Sequence, residues 1–332
     1  MKTLDFGKIV RNWNFNILNI IYLFNILMKY VYICPYFYKM MRRIRNSTVV
    51  LLIFMSCQTS FAQYIEVGFG LGKSVYWGDL NAPEFSKNIS ENGSLAIQLC
   101  GKYNYQGIFG IKLNTLFGKI SGNDKFSSLQ WQRERNLSFS SKLLEVSVMG
   151  ELYLFNFTPG FGEQVFSPFI TVGVAGFFYN PVTEFNGNVV ELQPLGTEGQ
   201  GMSGYGAKYN KYGFGVPFGA GGLFKFSDRF TMSFDIIGRR TFSDYIDDVS
   251  GTYVSYDELS AGNGVLAAQL SDRTPEYFGS GEPSQHRTGD IRGGANVEDY
   301  YFTAMVTMFF SITDPDEVQV KRSRHNTNCP KF

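Results

Sequence analysis

Histidine is nearly absent. His286 and His325 are the only two in 332 residues, which leaves little for general acid–base work or for imidazole metal ligation. Cysteine is almost as scarce. Of four, only Cys100 and Cys329 lie beyond the first 62 residues, in unrelated contexts, so both read as isolated thiols and no disulfide framework or Cys/His cluster is expected. Charged residues make up 18% and mean hydropathy is -0.10, without the long apolar runs of a helical membrane protein. A nucleotide cradle is missing too. Leu192 to Gly201, LQPLGTEGQG, carries three glycines, but in the order G-x-x-G-x-G and between strands. A phosphate loop needs Gly-Lys-Ser/Thr ahead of a helix, or G-x-G-x-x-G between a strand and a helix.

What the chain has in quantity is Gly (36), Phe (32) and Tyr (20), a composition suited to strands that alternate apolar and polar positions. The N-terminal part reads differently. Met41-Arg42-Arg43-Ile44-Arg45, the apolar Thr48–Met55 and the small residues Ser60 and Ala62 form an export signal over 41–62, cleaved before Gln63. A lipoprotein signal on Cys57 is the rival, but it lacks the usual Leu three residues earlier. The upstream segment 1–40, whose apolar stretch is broken by Asn16, Asn19, Asn25 and Lys29, points to a true start at Met40 or Met41. Residues 1–62 hold eight of the 30 Lys and Arg and one of the 29 Asp and Glu, so the remainder is acidic, with 22 against 28. Such a balance argues against nucleic acid as a partner.

From Gln63 the pattern has period two. Phe230, Met232, Phe234 and Ile236 alternate with Thr231, Ser233 and Asp235, and Phe302 to Phe310 repeats the scheme. Eight strands are predicted, near 64–77, 94–105, 107–120, 138–157, 165–179, 212–226, 229–243 and 299–312. The gaps after the second, fourth and sixth (the fourth being 158–164) are short, and the others are long. Strict alternation of that kind predicts an all-β, eight-stranded antiparallel transmembrane barrel over 63–312, with short periplasmic turns, long extracellular loops and a periplasmic tail over 313–332. Charges at mid-strand fall on the face opposite the apolar one: Glu66, Lys102, Lys112, Glu145, Glu151, Lys225, Asp235 and Arg239. Four cations against four anions can pair, and a barrel this narrow is filled by side chains, so a plugged lumen is expected rather than a pore. Tyr76, Trp77, Phe178, Tyr179, Phe242, Tyr245, Tyr300 and Tyr301 fall near the outer strand ends, as an aromatic girdle against outer-membrane lipid would.

Little chemistry is placed by spacing. Ser284 and His286 share a Gly/Pro-rich loop with no orienting acid at a fixed offset, so a solvated histidine is the plain reading. Asp244, Asp247 and Asp248 offer hard oxygen ligands of the type calcium takes, but without the spacing or glycine of an EF-hand loop, and a loop hydrogen-bond network explains them as well. No catalytic residue, cofactor or small-molecule substrate is expected.

Six segments in order carry a resemblance. They are Tyr76-Trp77-Gly78-Asp79-Leu80, Arg135-Asn136-Leu137-Ser138-Phe139, Phe166-Ser167-Pro168-Phe169, Asn180-Pro181, Leu192 to Gly201 and Ser243 to Tyr253. Together they resemble the PorG-like outer-membrane β-barrels of Bacteroidetes, which include a component of the type IX secretion system linked to gliding and protease export. The resemblance implies a non-enzymatic barrel that holds the periplasmic ring proteins of that machinery or faces its translocon. A small structural or adhesive barrel is the alternative. Thr197, Glu198, Gln200, Asp247, Asp248 and Tyr253 are then the expected loop contacts, on two segments that should pack together above the barrel mouth.

Overall fold

The computed structural model describes residues 63–81, 85–157, 165–283, 286–294 and 298–313. The upstream segment, the export signal with Cys57, the turn at 158–164, Ser284 and most of the tail, with His325 and Cys329, lie outside the described residues. Nine strands are present among those described: β1 (Gln63–Trp77), β2 (Ser94–Tyr105), β3 (Phe109–Asn123), β4 (Ser138–Tyr153), β5 (Phe166–Phe185), β6 (Asn188–Glu191), β7 (Tyr212–Lys225), β8 (Phe230–Thr241) and β9 (Tyr300–Ser311). All but β6 form one closed antiparallel wall: neighbours in sequence pair, β5 pairs with β7, and β9 closes on β1. The eight-stranded barrel expected from the period and the gap lengths is the fold.

Register fixes the tilt. Partners traced from Ile65 through Tyr103, Ile111, Gly150, Val172, Phe218, Gly238 and Phe302 return to Val75, ten residues further up β1. A shear of this size inclines the strands, by about 40° in barrels of this kind, and makes each hydrogen-bonded row climb as it circles the wall. Alternation does the rest. Ile65, Val67, Phe69 and Leu71 stand outward and exposed, while Tyr64, Glu66 and Gly70 turn inward. Corresponding outward residues on the other strands are also apolar, such as Leu113, Val146, Val172, Phe218, Phe234 and Val306, and form the lipid-facing belt. Among the described residues no helix is long and apolar enough to cross a membrane; strands make the crossing.

Three expectations are corrected. First, three of the eight residues expected in the girdle are not part of it. Tyr76, Tyr179 and Tyr301 are buried inside the outer mouth, because each is adjacent in the chain to an outward aromatic (Trp77, Phe178, Tyr300) and neighbours on a strand cannot face the same way. Second, β5 does not stop near 179. It continues to Phe185 and folds back as β6 through Asn186 and Gly187, both at positive φ (51° and 76°), an Asn-Gly hairpin signal that the reading passed over. Third, the long loops contain short helices: α1 (Gln130–Arg135), α2 (Tyr256–Gly262), α3 (Val265–Ser271) and α4 (Thr274–Phe278). At five to seven residues they are too short to show a helical period, and tertiary packing must hold them.

The β2–β3 turn gives a local test. Gln106 and Gly107 both have positive φ, 57° and 68°, although only one is glycine. Gln106→Gly should raise barrel stability by about 1 kcal/mol and Gly107→Ala should lower it by about as much, read from urea unfolding in detergent micelles.

Candidate functional site: the sealed lumen and the outer cap

Seven of the eight charges assigned to the lumen are there, each no more than about 1% exposed. Lys102 lies 3.2 Å from Glu66 and 3.8 Å from Glu151, and Lys112 lies 3.1 Å from Glu151 and 4.0 Å from Asp235. Higher in the barrel Arg239 donates to Glu145 at 2.9 Å and also to Thr303. Neutral groups add further donors to these carboxylates. Asn104 and Thr231 donate to Glu66, Tyr153 to Glu151 and Tyr301 to Glu145, each at 2.8 Å. Gln98 and Thr307 bond across the interior, and Lys102 sits 4.0 Å above the ring of Phe309. The eighth charge is elsewhere: Lys225, the last residue of β7, pairs at the rim with Asp228 of the next turn, 3.0 Å away. Its side chain is within reach of an exposed carboxylate three residues on, so it need not enter the interior. Cys100 is a buried free thiol on the inner face.

Above this the loops form a folded cap. Leu80, Leu137, Leu192, Ile246, Val249 and Leu270 come from four different loops or strand ends and join Tyr76, Ile120, Phe139 and Tyr301 of the upper barrel in one buried cluster. Polar connections run through two buried arginines. Arg135, at the end of α1, binds Asp124 through Nε (2.8 Å) and Nη2 (2.9 Å) and also donates to the carbonyls of Asp79 (2.8 Å) and Arg292 (2.7 Å). Arg292 donates to Glu198 (2.9 Å) and to the carbonyls of Asp248 (2.7 Å) and Ser271 (3.0 Å).

The two signature loops meet. Thr197 donates to Asp248 (2.6 Å), the amides of Ser250 and Gly251 donate to Glu198 (3.0 and 3.2 Å), and the Gln200 side chain accepts from the Glu198 amide (3.0 Å). Asp248 also accepts from Tyr209 (2.6 Å). Tyr253 stacks on His286 at 4.2 Å between ring centres. Asp247 and Asp299 both hold the hydroxyl of Tyr76, at 2.6 and 2.5 Å. The calcium reading of the acidic run is not supported. Asp244 turns to Ser250, Asp247 to Tyr76 and Asp248 to Thr197, and among the described residues no three acidic, His or Cys side chains are placed to hold a metal.

His286 differs from its reading as well. Asp272, distant enough in sequence to give no spacing signal, lies 2.5 Å from its Nδ1 beside an open cleft of about 600 Å³. Asp272 orients the ring. Sequence reading missed Tyr76, Asp79, Arg135, Arg292 and Asp299 as cap groups. The first three stand inside quoted signature segments, which was the available signal.

The chain is matched over residues 45–267 by a family described as "Domain of unknown function (DUF6089)". The chain belongs to this DUF6089 family. No curated protein matches the chain. Among solved structures this DUF6089 chain is similar to Ail, the attachment invasion locus protein of Yersinia pestis (8% identity, TM-score 0.35, 75% of this chain and 99% of that one). It is also similar to the outer membrane protein OprG from Pseudomonas aeruginosa (8%, 0.34, 76% and 97%) and to Neisserial surface protein A (6%, 0.33, 75% and 96%). At such identities and scores the likeness carries no functional argument. The closed, plugged wall with its apolar belt is by itself an eight-stranded barrel of the outer-membrane type.

Burial sets the electrostatics of the cap. It drives the carboxyls of Asp244 and Asp248 up to about 6, in Asp248 against the pull of Arg292. It lifts Asp247 well above the usual range, with the charge of Asp299 adding to the rise, and lifts Asp299 in the same direction despite the Tyr76 hydrogen bond. Raised folded-state carboxyls stabilise the cap fully below the ordinary carboxylate range, and that contribution is lost as pH rises through 6 and beyond. Amides of 244–250 should therefore exchange more slowly near pH 5 than near pH 8 after correction for intrinsic rates, and Asp247→Asn should flatten the difference. In the lumen, Lys112→Met leaves Glu151 and Asp235 short of a partner and should cost about 3–5 kcal/mol in urea unfolding.

Proposed function

We propose that the chain is a non-conducting, non-enzymatic barrel of the outer membrane that serves as a docking point for other proteins. The carrying observation is the double seal. Paired charges close the lumen from Glu66 to Arg239, and the cap closes the outer mouth, so a solute is offered no path and function falls to the surfaces. The finer assignment is a place in the type IX secretion machinery, anchoring or organising the periplasmic ring or translocon. It draws support from the ordered PorG-like segments. Those segments supply the groups that lock the cap: Tyr76, Asp79, Arg135, Glu198, Asp247 and Asp248.

A structural or adhesive barrel outside any secretion complex is the second reading. It is favoured by apolar side chains exposed on the cap helices, among them Trp131 of α1 and Tyr277 and Phe278 of α4. Gene deletion separates the two. Loss of type IX cargo export, with ring proteins cross-linked to the native barrel, is the expected result, whereas normal export with reduced surface attachment would replace the first reading with the second. In planar bilayers the purified protein should give no stable conductance.

A further inference from the structure

The outer rim carries basic side chains of two kinds. On the β5–β9 side they have partners: Lys211 pairs with Glu191 at 2.8 Å and Arg240 with Glu298 at 2.5 Å. On the β1–β4 side, Lys73, Lys119 and Lys142 stand outward on the lipid-facing surface, all exposed, and among the described residues none forms an ion pair. Their register is close. Lys119 and Lys142 are direct cross-strand partners, Lys142 is followed by Asn180 on β5, and Lys73 faces Leu95 on β2. Like charges directly opposite one another destabilise a sheet, with Cβ atoms only about 5 Å apart. Among the described residues no anion pairs with either lysine.

The rows beneath are apolar. Leu71, Ile97, Phe117, Leu144 and Phe178 are successive partners across β1 to β5, one outward position lower than the lysines. Because rows climb around the tilted wall, Lys73 is the lowest of the three. Lys119 and Lys142 rise to the level of the outward aromatics Phe178, Phe242 and Tyr300, where headgroups meet acyl chains. A lysine stem long enough to bring its ammonium up to that level covers the remaining offset of Lys73. At the opposite end the outward residues Tyr105, Phe109, Leu152, Phe166, Phe224, Phe230 and Phe310 are neutral, and Lys225 in the β7–β8 turn region is paired with Asp228. The turn 85–92, packed beside β1 and β3, adds one cation and one anion, Lys87 and Glu91, and leaves the balance unchanged.

We infer that the outer half of the β1–β4 wall is a binding site for a phosphate-bearing lipid of the outer leaflet, its phosphates between Lys119 and Lys142 and toward Lys73, its acyl chains along Phe117, Leu144, Ile97 and Leu71. Phosphate answers the feature that a neutral lipid leaves unsolved, since its several acceptor oxygens can bridge two ammonium groups at once. The site asks nothing of the lumen or the cap, so it holds for a secretion component and for an adhesive barrel alike.

Native mass spectrometry of the mature barrel in zwitterionic detergent tests it, using bisphosphorylated lipid A, its dephosphorylated counterpart and inorganic phosphate as probes. Heat-dependent gel migration checks that each variant is a closed barrel. The bisphosphorylated lipid should be retained about tenfold more tightly than the dephosphorylated one, and the Lys119→Gln/Lys142→Gln protein should lose about that factor. Arg240→Gln, on a residue already paired with Glu298, should retain the lipid as the unaltered protein does. Equal retention of the two lipids by the unaltered protein would overturn the site, whether or not the double variant folds. Equal retention by a folded double variant would overturn the role of the two lysines, and capture of inorganic phosphate as tight as that of the lipid would overturn the lipid assignment.

Discussion

Eight strands enclose an interior only wide enough for side chains, so a charge pointing inward must find its partner inside. That constraint explains why Glu66, Lys102, Glu151, Lys112 and Asp235 form a chain of contacts rather than isolated pairs. Each lysine touches two carboxylates, and the residual lone pairs of Glu66 and Glu151 go to Asn104, Thr231 and Tyr153. Buried ion pairs of this sort give little net stability over an apolar filling, but each member is costly to leave alone. Their consequence is register. A one-residue slip of β1, β2, β3, β4 or β8 would put its charge into lipid and an apolar side chain into the network. Steric fit imposes the same rule. A Cβ on Gly221 would stand 2.6 Å from Phe169 and one on Gly213 2.8 Å from Phe177, so the inward face of β7 must be bare where these rings cross the lumen.

The cap depends on that wall. Its loops have few ladders of their own, and buried backbone carbonyls need donors. Two arginines supply them. Arg135 combines a carboxylate of its own loop with carbonyls of two others, Arg292 combines the Glu198 carboxylate of another loop with carbonyls of its own, and Tyr76 carries the connection down to β1 through Asp247 and Asp299. One phenol donates a single proton, so two carboxyl oxygens at 2.6 and 2.5 Å require a second proton on the pair, which agrees with the upward shift of both acids.

Much of this was legible in the sequence because a barrel writes its geometry at period two. The strand count, the order of short and long gaps and the inward set from Glu66 to Arg239 all follow from alternation, which needs no knowledge of partners. What alternation could not show is contact between distant loops. Arg292 sits in a Gly-rich stretch with no periodic neighbour, and Asp272 meets His286 only through the fold of α3 and α4. Lys225 was misplaced because parity says which face a residue takes but not whether a turn carboxylate is close enough to draw it to the rim. The loop LQPLGTEGQG has the turn geometry its glycines suggest. Gly196, Gly199 and Gly201 all have positive φ, at 63°, 83° and 89°, and a Cβ on Gly196 would meet the Gln200 carbonyl at 2.3 Å. What remained hidden was that Glu198 of that loop would receive two amides and Arg292.

The division of labour between lysine and arginine follows from these two settings. In the lumen, carboxylates are mounted on neighbouring strands at fixed spacing, and a compact ammonium can sit between two of them; Lys102 and Lys112 do so. In the cap the acceptors are carbonyls of chain segments far apart in sequence, at 2.7 to 3.0 Å, and only a planar fork of five donors reaches several at once. Arg239 shows the transition. It stands at the top of the lumen, pairs with Glu145 as the lysines pair below it, and also donates to the Ile237 carbonyl at 2.7 Å as the cap arginines do above. Charge neutralisation alone would let lysine serve at all five positions. The cap is closed by direction as well as by charge, and for that reason a lysine at 135 or 292 would keep the charge and lose the closure.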